Sequence, residues 1–381
     1  MFLTGEQQML RKAVREYVEK EVAPHAAEWD EADICPVECF AEMGQLGVIG
    51  VFVPEELGGV GCGYLERAIC LEEISRHSAG LGIAVMTHHL GLSAILDSGS
   101  EEQKRKYIPQ LATGEKICGL SVTEPGGGSD FMGQVSTAER HGNDWLINGR
   151  KCFITNSHIS DVDIWTVRSG VNEKGRPELT AFIIEKDTPG HKAGRKEKKI
   201  GLRGSVTGEI ICDNVCLPDS AVLGAVGSGA KIGMSAISEV GRSGMAAICL
   251  GIIRGCLEEG IKFANERIIY GKPLAKLQSA QFIIGEVRTA YEAARLMVYH
   301  AAELKDRGEP CATEIAMAKL FASEEAVKAA KNVMDLMGAY GCINEYPIGR
   351  FLRDALAAIP SGGTSHIHKL VVSGAALKES L

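Results

Sequence analysis

The stretch Trp145-Leu146-Ile147-Asn148-Gly149-Arg150-Lys151-Cys152-Phe153-Ile154 decides the fold class. Two apolar triplets, Trp145–Ile147 and Cys152–Ile154, flank Asn148-Gly149, a pair that suits the positive φ angles of a tight β-turn. The spacing predicts a hairpin turning at Asn148-Gly149. Outward from it, Ile164–Val167, Leu179–Ile184 and Glu209–Cys212 read as further short strands separated by Gly, Asn, Asp and Pro. A small antiparallel sheet or barrel is expected over roughly residues 118–222.

On both sides the period changes from two to 3.6. Upstream, Thr4 and Gln7 form a capping box, followed by Leu10, Val14, Tyr17, Val18 and Val22 at helical spacing. Residues 54–63 (PEELGGVGCG) are a Gly-rich loop between helices, and helical patterning then runs with breaks to about Lys116. Downstream, Ile253, Leu257, Ile261 and Ala264 predict one face of a long helix. Further helices are expected over about Ala275–Lys305 and Cys311–Met337. The architecture is therefore α+β and multidomain: an N-terminal helical domain (1–117), a middle antiparallel β-barrel-like domain (118–225) and a C-terminal helical bundle (226–381).

A chain of 381 residues is long enough for several domains and a large core. Its net charge of −8 argues against nucleic acid or an anionic membrane as the main partner. No uninterrupted apolar stretch of about 18 residues is seen, since Gly80–Leu96 is broken by His88 and His89, so no membrane insertion is expected. The N-terminus, with Glu6, Gln7 and Gln8, does not read as a secretory signal. The twelve cysteines include no C-x-x-C pair, so no metal site is expected; they read as buried thiols of a cytoplasmic protein.

The chemistry points first to Thr123-Glu124-Pro125-Gly126-Gly127-Gly128-Ser129-Asp130. Following the strand-like Cys118–Val122, it would expose backbone N–H groups and hydroxyls to a phosphate or a heteroaromatic edge. By itself it fits a tight turn into a sheet equally well. It is neither a Walker A loop, which needs Gly-Lys-Ser/Thr, nor a G-x-G-x-x-G within a βαβ unit.

That segment resembles the T-E-P-G-x-G-S-D signature of the acyl-CoA dehydrogenase family, and four more segments match in order. They are Gly149–Asn156 (GRKCFITN), Gly201–Thr207 (GLRGSVT) with Asp213-Asn214-Val215 and Pro218, Glu266–Leu274 (ERIIYGKPL) with Gln278, and Asn344–Pro347 with Arg353-Asp354-Ala355 and Gly363-Thr364. The resemblance covers essentially the whole chain. It implies FAD as cofactor, an acyl-CoA thioester as substrate and hydride transfer to flavin N5. It further implies an electron-transferring flavoprotein as electron acceptor and a homotetramer.

Residue by residue, the resemblance places Leu120, Val122 and Thr123 beside the flavin ring. Ser129 goes to the cofactor phosphate or the CoA arm, Phe153 against the isoalloxazine, and Thr155 near its N5. Arg267 and Gln278 would hold the FAD pyrophosphate across a subunit interface, with Tyr270 at the adenosine. Gly338, Thr364 and His366 fall at further cofactor positions, and Glu239 and Arg242 beside the CoA arm.

The chain departs from the family where the α-proton is removed. The usual Glu stands immediately before the Gly-Thr of the C-terminal motif, and that position here is Gly362. In other members it precedes the Arg matched by Arg242, and that position is Gly241. Glycine cannot take a proton, so the ordinary general base is missing. Glu239 and His88 are the candidates for a relocated base; His89 and His366 are weaker ones. On the floor of the acyl pocket, helical spacing presents Ile83, Met86, Thr87 and Leu90 rather than the two histidines. The departure implies atypical regiochemistry or an unsaturated or alicyclic acyl group, as in dehydrogenases of the cyclohexene-carboxyl-CoA type. An enoyl-CoA reductase of the same family and a non-catalytic flavin-binding member are the alternatives.

Overall fold

Thr4 caps the first helix as expected: its Oγ1 accepts from the Gln7 N–H, and the Gln7 side chain accepts from the Thr4 N–H. The computed structural model describes residues 3–171 and 175–378. Six helices come first: α1 (Gly5–Tyr17), α2 (Ala26–Ala32), α3 (Glu38–Gln45), α4 (Tyr64–Ser75), α5 (Ala79–Ser98) and α6 (Glu101–Ala112). The β region follows, with β1 (Cys118–Ser121), β2 (Thr137–His141), β3 (Asp144–Thr155) and β4 (Val162–Val171). It continues through β5 (Pro177–Glu185), β6 (His191–Lys196), β7 (Thr207–Pro218) and β8 (Val222–Leu223). The helical end comprises α7 (Gly229–Ser235), a π turn (Ala236–Gly241), α8 (Arg242–Glu266), α9 (Gln278–Asp306), α10 (Ala312–Met337), α11 (Ile348–Ala358) and α12 (Ser365–Ala376).

Asn148-Gly149 is not a turn. β3 runs straight through it and pairs with β7, with a register shift between Ile147 and Gly149. The hairpin turns one step earlier, at Gly142-Asn143, where His141 pairs with Asp144 and Gly142 takes φ +63°. Gly149 instead marks an irregularity where the backbone of β3 crowds Ser136: a Cβ there would lie 2.1 Å from the Ser136 Oγ. The sheet also departs from all-antiparallel. Its order is β6-β7-β3-β2-β4-β5-β8, and both β1 and β2 pair with β4 in parallel. Trp145, Ile147, Trp165, Phe182, Ile210 and Val215 form a core of its own inside this region.

The helical elements share a second, larger core, with α8 packed against α4, α9 and α10. Of the stripe expected on α8, Ile253, Leu257 and Ala264 are buried but Ile261 is 39% exposed. Four-residue steps advance 400°, so each drifts 40° and the third member leaves the face. The second long helix starts at Gln278, because Leu274–Lys276 forms a 3₁₀ turn ahead of it. Two helical segments, Ala79–Ser98 and Gly229–Glu266, are long and apolar enough to cross a membrane by length and composition, contrary to the reading of the sequence. Their most apolar windows are 89% and 78% buried inside the protein, so that surface is covered by the fold.

Between the helices and the sheet, α5 is pinned to the β region by polar contacts. The Asn156 Nδ2 donates to the Ala84 carbonyl at 2.9 Å, and the Cys118 N–H donates to the His88 Nδ1 at 3.0 Å. On the other side, the Leu202 N–H donates to the Asp354 Oδ1 at 2.6 Å, and Arg353 pairs with Asp30. These ties fix α5, β1, β3, the 197–205 loop and the end of α11 around one cavity.

Candidate active site

That cavity has a volume of about 810 Å³. The α5 face supplies Ile83, Met86, Thr87 and Leu90, the four residues that helical spacing selects. The β region supplies Leu120, Val122, Thr123, Ser129, Phe153 and Thr155. The C-terminal region supplies Gly241, Arg242, Gly362, Gly363 and Thr364. Ten of the sequence-selected site residues thus meet in one place: Leu120, Val122, Thr123, Ser129, Phe153, Thr155, Gly241, Arg242, Gly362 and Thr364.

A buried ion pair holds the Gly-rich loop to β3. The Lys151 Nζ donates to the Glu124 Oε1 at 2.7 Å, the Gln134 Oε1 at 2.8 Å and the Val122 carbonyl at 3.1 Å. Glu124 also accepts the N–H groups of Val135 and Ser136. Burial depresses the Lys151 ammonium to about 8, with Glu124 pulling the other way. Against the push of burial, the hydrogen bonds from Lys151, Ser136 and Val135 hold the Glu124 carboxyl below its usual value. The sequence reading missed Lys151, which lies just before the cavity-lining Phe153, Ile154 and Thr155 of β3. A lysine in a strand otherwise apolar on that face was the available signal.

Phe153 is held at φ +57° and is 65% exposed. A bulky residue in the left-handed region is strained, and here the strain turns an apolar ring outward into the cavity. The cavity wall there also carries the hydroxyls of Thr123 and Thr155, with Gly128 and Ser129 of the Gly-rich loop. An uncovered aromatic face, hydroxyl groups and exposed loop backbone form a donor set that fits a large heteroaromatic group such as a flavin.

Gly241 and Gly362 adjoin. A Cβ on Gly362 would lie 3.7 Å from the Gly241 carbonyl oxygen and 3.3 Å from the Met245 Cγ. Among the described residues lining the cavity, the one carboxylate is Glu197, and both its oxygens accept from Arg195.

The relocated-base candidates lie outside the lining. His88 is fully buried, with both ring nitrogens engaged: Nδ1 accepts from Cys118, so Nε2 donates to the Leu111 carbonyl at 3.0 Å. Burial lowers its pKa to about 4. His89 likewise accepts from the Arg67 Nε at 3.1 Å and donates to the Ile49 carbonyl at 3.1 Å. Glu239, in the π turn, is paired with Lys305 and accepts from the Ser235 hydroxyl. His366 is exposed, whereas its neighbour His368, which the sequence reading passed over, is buried against the Gly363 carbonyl at 3.1 Å.

Arg267, Tyr270, Gln278 and Gly338 also fall outside the cavity. The Arg267 guanidinium lies 5.1 Å over the Tyr340 ring, near the ends of α8 and α10. Tyr270 is 89% exposed, at φ +54°. Lys198, Lys199 and Ile200 do line the cavity. Their place there was hidden in the sequence, because that charged run reads as a solvated face.

Three family models match consecutive parts of the chain. They are the acyl-CoA dehydrogenase N-terminal domain over residues 4–115, the middle domain over 119–215 and the C-terminal domain over 227–377. An acyl-CoA dehydrogenase of Bacillus subtilis (strain 168) is 42% identical over 98% of this chain and 98% of its own. Butyryl-CoA dehydrogenase from Megasphaera elsdenii superposes with a TM-score of 0.96 at 34% identity, over 99% of this chain and 100% of that one. A chain from the structure of the electron transferring flavoprotein of Acidaminococcus fermentans superposes at 0.95, with 35% identity and full coverage of both. Fold, motif order and matched domains agree, and the chain belongs to the acyl-CoA dehydrogenase family of oxidoreductases.

Proposed function

We propose that this protein is an FAD-dependent acyl-CoA oxidoreductase of atypical regiochemistry, acting on an unsaturated or alicyclic acyl thioester. The observation that carries the reading is the cavity lining. Gly241 and Gly362 stand where the resemblance puts the family's base, and among the described residues the one lining carboxylate, Glu197, is tied to Arg195.

When bound, FAD supplies the hydride acceptor. Thr123 and Thr155 offer hydroxyls to its ring, Phe153 packs on the ring, and Ser129 takes a phosphate or the CoA arm. The Gly362 N–H donates to the thioester carbonyl and stabilises charge that develops there, a contact needing no side chain. The α-carbon is thereby acidified, but no side chain is at hand to take its proton. A conjugated enoyl thioester offers a γ-proton instead, acidified through the double bond and passed to water in the cavity as the hydride leaves for the flavin, and the space freed by two glycines accommodates a ring. Arg267, Tyr270, Gln278 and Gly338, exposed together away from this chain's cavity, serve the FAD of a neighbouring subunit in a homotetramer. Electrons pass to an electron-transferring flavoprotein. The twelve free cysteines suit a cytoplasmic location.

The test is anaerobic bleaching of the bound flavin by a panel of saturated, unsaturated and alicyclic acyl-CoAs. Bleaching by unsaturated or alicyclic thioesters but weakly by butyryl-CoA is expected. Rapid bleaching by butyryl-CoA would refute the atypical reading, and no bleaching by any thioester would make the protein a non-catalytic member.

A further inference from the structure

Arg67, on α4, is 1% exposed, and among the described residues it meets no carboxylate. Its donors all go to neutral acceptors: Nε to the His89 Nδ1 at 3.1 Å, Nη1 to the Ser243 Oγ at 3.2 Å and Nη2 to the Val240 carbonyl at 2.9 Å. The rings of Phe52 and Tyr64 cover the guanidinium, their centroids 6.0 and 5.8 Å from its carbon. Burial pulls its pKa down to about 10, so it stays charged at neutral pH. Taking a cation out of water with no anion beside it is costly, and a neutral side chain would fill the space more cheaply.

What the cation reaches is the end of the π turn, Ala236–Gly241. There the Arg242 N–H bonds back five residues to the Ile237 carbonyl, whereas an α-helix bonds back four. Where the spacing shrinks from five to four, the backbone donors pass over one carbonyl, and other donors must serve the junction. Side chains supply them. The Ser243 hydroxyl is shared between the carbonyls of Glu239 and Val240, and Arg67 adds its Nη2 to Val240. The helix α8 is cut away to admit it: a Cβ on Gly244 would lie 2.7 Å from the Arg67 Nη2 and 2.4 Å from the Met86 Cγ. His89 completes the seat, its other ring nitrogen fixed on the Ile49 carbonyl.

We infer that Arg67 is a positioning residue of the cavity: it clamps the π turn at Val240 and so sets where the next two residues, Gly241 and Arg242, stand in the cavity wall. Arg67 is not itself in the lining and acts only through the turn. A charged donor suits the task, because a charge-assisted bond to a buried carbonyl is stronger than a neutral one. A guanidinium suits it further, since its donors lie in one rigid plane and span His89, Ser243 and Val240 together. The free energy lost in burying the cation is offset by holding a helix irregularity that α-helical bonding alone would tend to anneal away.

Hydrogen exchange on the oxidised holoenzyme, read by mass spectrometry, tests this together with flavin-monitored binding of butyryl-CoA. In Arg67→Met, the amides of residues 236–243 should exchange at least about tenfold faster, while those of 250–266 keep their rates. Flavin should be retained, and butyryl-CoA should bind about tenfold more weakly. Arg67→Lys, which keeps the charge on a single donor head, should restore part of both. Gly244→Ala, which crowds the guanidinium off Val240, serves for the exchange measurement if Arg67→Met does not fold. Unchanged exchange at 236–243 overturns the inference. So does faster exchange spread evenly along α4 and α8, the mark of packing alone, or a local rise that leaves butyryl-CoA binding untouched. The binding arm rests on the acyl-CoA reading: if the wild type binds no thioester, that reading fails, and the exchange rates alone decide the role of Arg67.

Discussion

A Cβ on Gly362 would lie 3.7 Å from the Gly241 carbonyl oxygen, yet the two are glycines of different kinds. Gly241 has helical torsions, φ −67° and ψ −52°, whereas Gly362 sits at φ +70°. A side chain on Gly241 would meet the Leu90 Cδ2 at 3.2 Å, the flexible end of a leucine. A side chain on Gly362 would crowd Met245 and also carry left-handed strain of about 1–2 kcal/mol.

The two positions should therefore respond unequally to a glutamate placed there. Gly241→Glu is expected to raise butyryl-CoA dehydrogenation by about 10²-fold or more, the low end of what general-base catalysis supplies. Gly362→Glu should give a smaller gain and a lower melting temperature. Steady-state rates and thermal melts of both variants check the order. Equal rates would show that the strain at Gly362 is absorbed locally.

Removing one partner of the Lys151–Glu124 pair leaves a buried charge unpaired. Lys151→Met is expected to cost about 3–5 kcal/mol and to loosen the loop at residues 123–130, lowering flavin retention. The double variant Lys151→Met/Glu124→Leu should recover part of the stability, because it removes both charges. Denaturant unfolding and the flavin-to-protein absorbance ratio measure the two effects separately.

His88 gives the protein a titratable weakness in acid. Its folded pKa of about 4 lies below the ordinary 6.5, so the unfolded chain binds the proton first as pH falls. The stability it contributes is whole above about 6.5 and drains away between 6.5 and 4. His88→Gln, which does not titrate, should be less stable than the wild type at pH 7.5. That gap should narrow by about 2 kcal/mol at pH 5. Chemical denaturation of both proteins at the two pH values reads it. A gap independent of pH would mean that the His88 pKa is the same in the folded and the unfolded chain.

Phe153 separates flavin binding from stability. Phe153→Gly relieves left-handed strain of about 1–2 kcal/mol but adds about 0.5–1 kcal/mol of unfolded-chain entropy. The apoprotein should therefore melt within a few degrees of the wild type, while flavin binding weakens about tenfold. Flavin titration of the two apoproteins is the check, and unchanged affinity would place the ring away from the cofactor.

Legibility followed how local each signal was. The capping box at Thr4 and Gln7 and the cavity-facing set Ile83, Met86, Thr87 and Leu90 depend on spacing within one helix, and the sequence showed them. Asn148-Gly149 misled because its two possible states, turn and bulge, share a composition; pairing with β7 and the crowding by Ser136 decide between them. The roles of His88 and Glu239 were illegible for another reason. Each is settled by a partner distant in the chain, Cys118 and Leu111 for one and Lys305 for the other. Arg67 carried no local signal, since its partners His89, Val240 and Ser243 are assembled around it only by the fold.

The π turn at Ala236–Gly241 sets the angular phase between α7 and α8. Each residue added to or removed from a helix turns the downstream side chains by about 100°. Within the turn and just beyond it, Ile237, Gly241 and Arg242 face the cavity while Glu239 reaches Lys305. A single-residue deletion here would convert the turn to ordinary α-helix and put its two flanks out of phase. Since α8 is anchored along its length by α4, α9 and α10, the upstream flank would have to rotate, carrying Met234 and Ile237 out of the cavity. The shape of this wall is thus governed by residue count as much as by residue identity, and a one-residue indel would remodel the acyl site where a point substitution only resizes it.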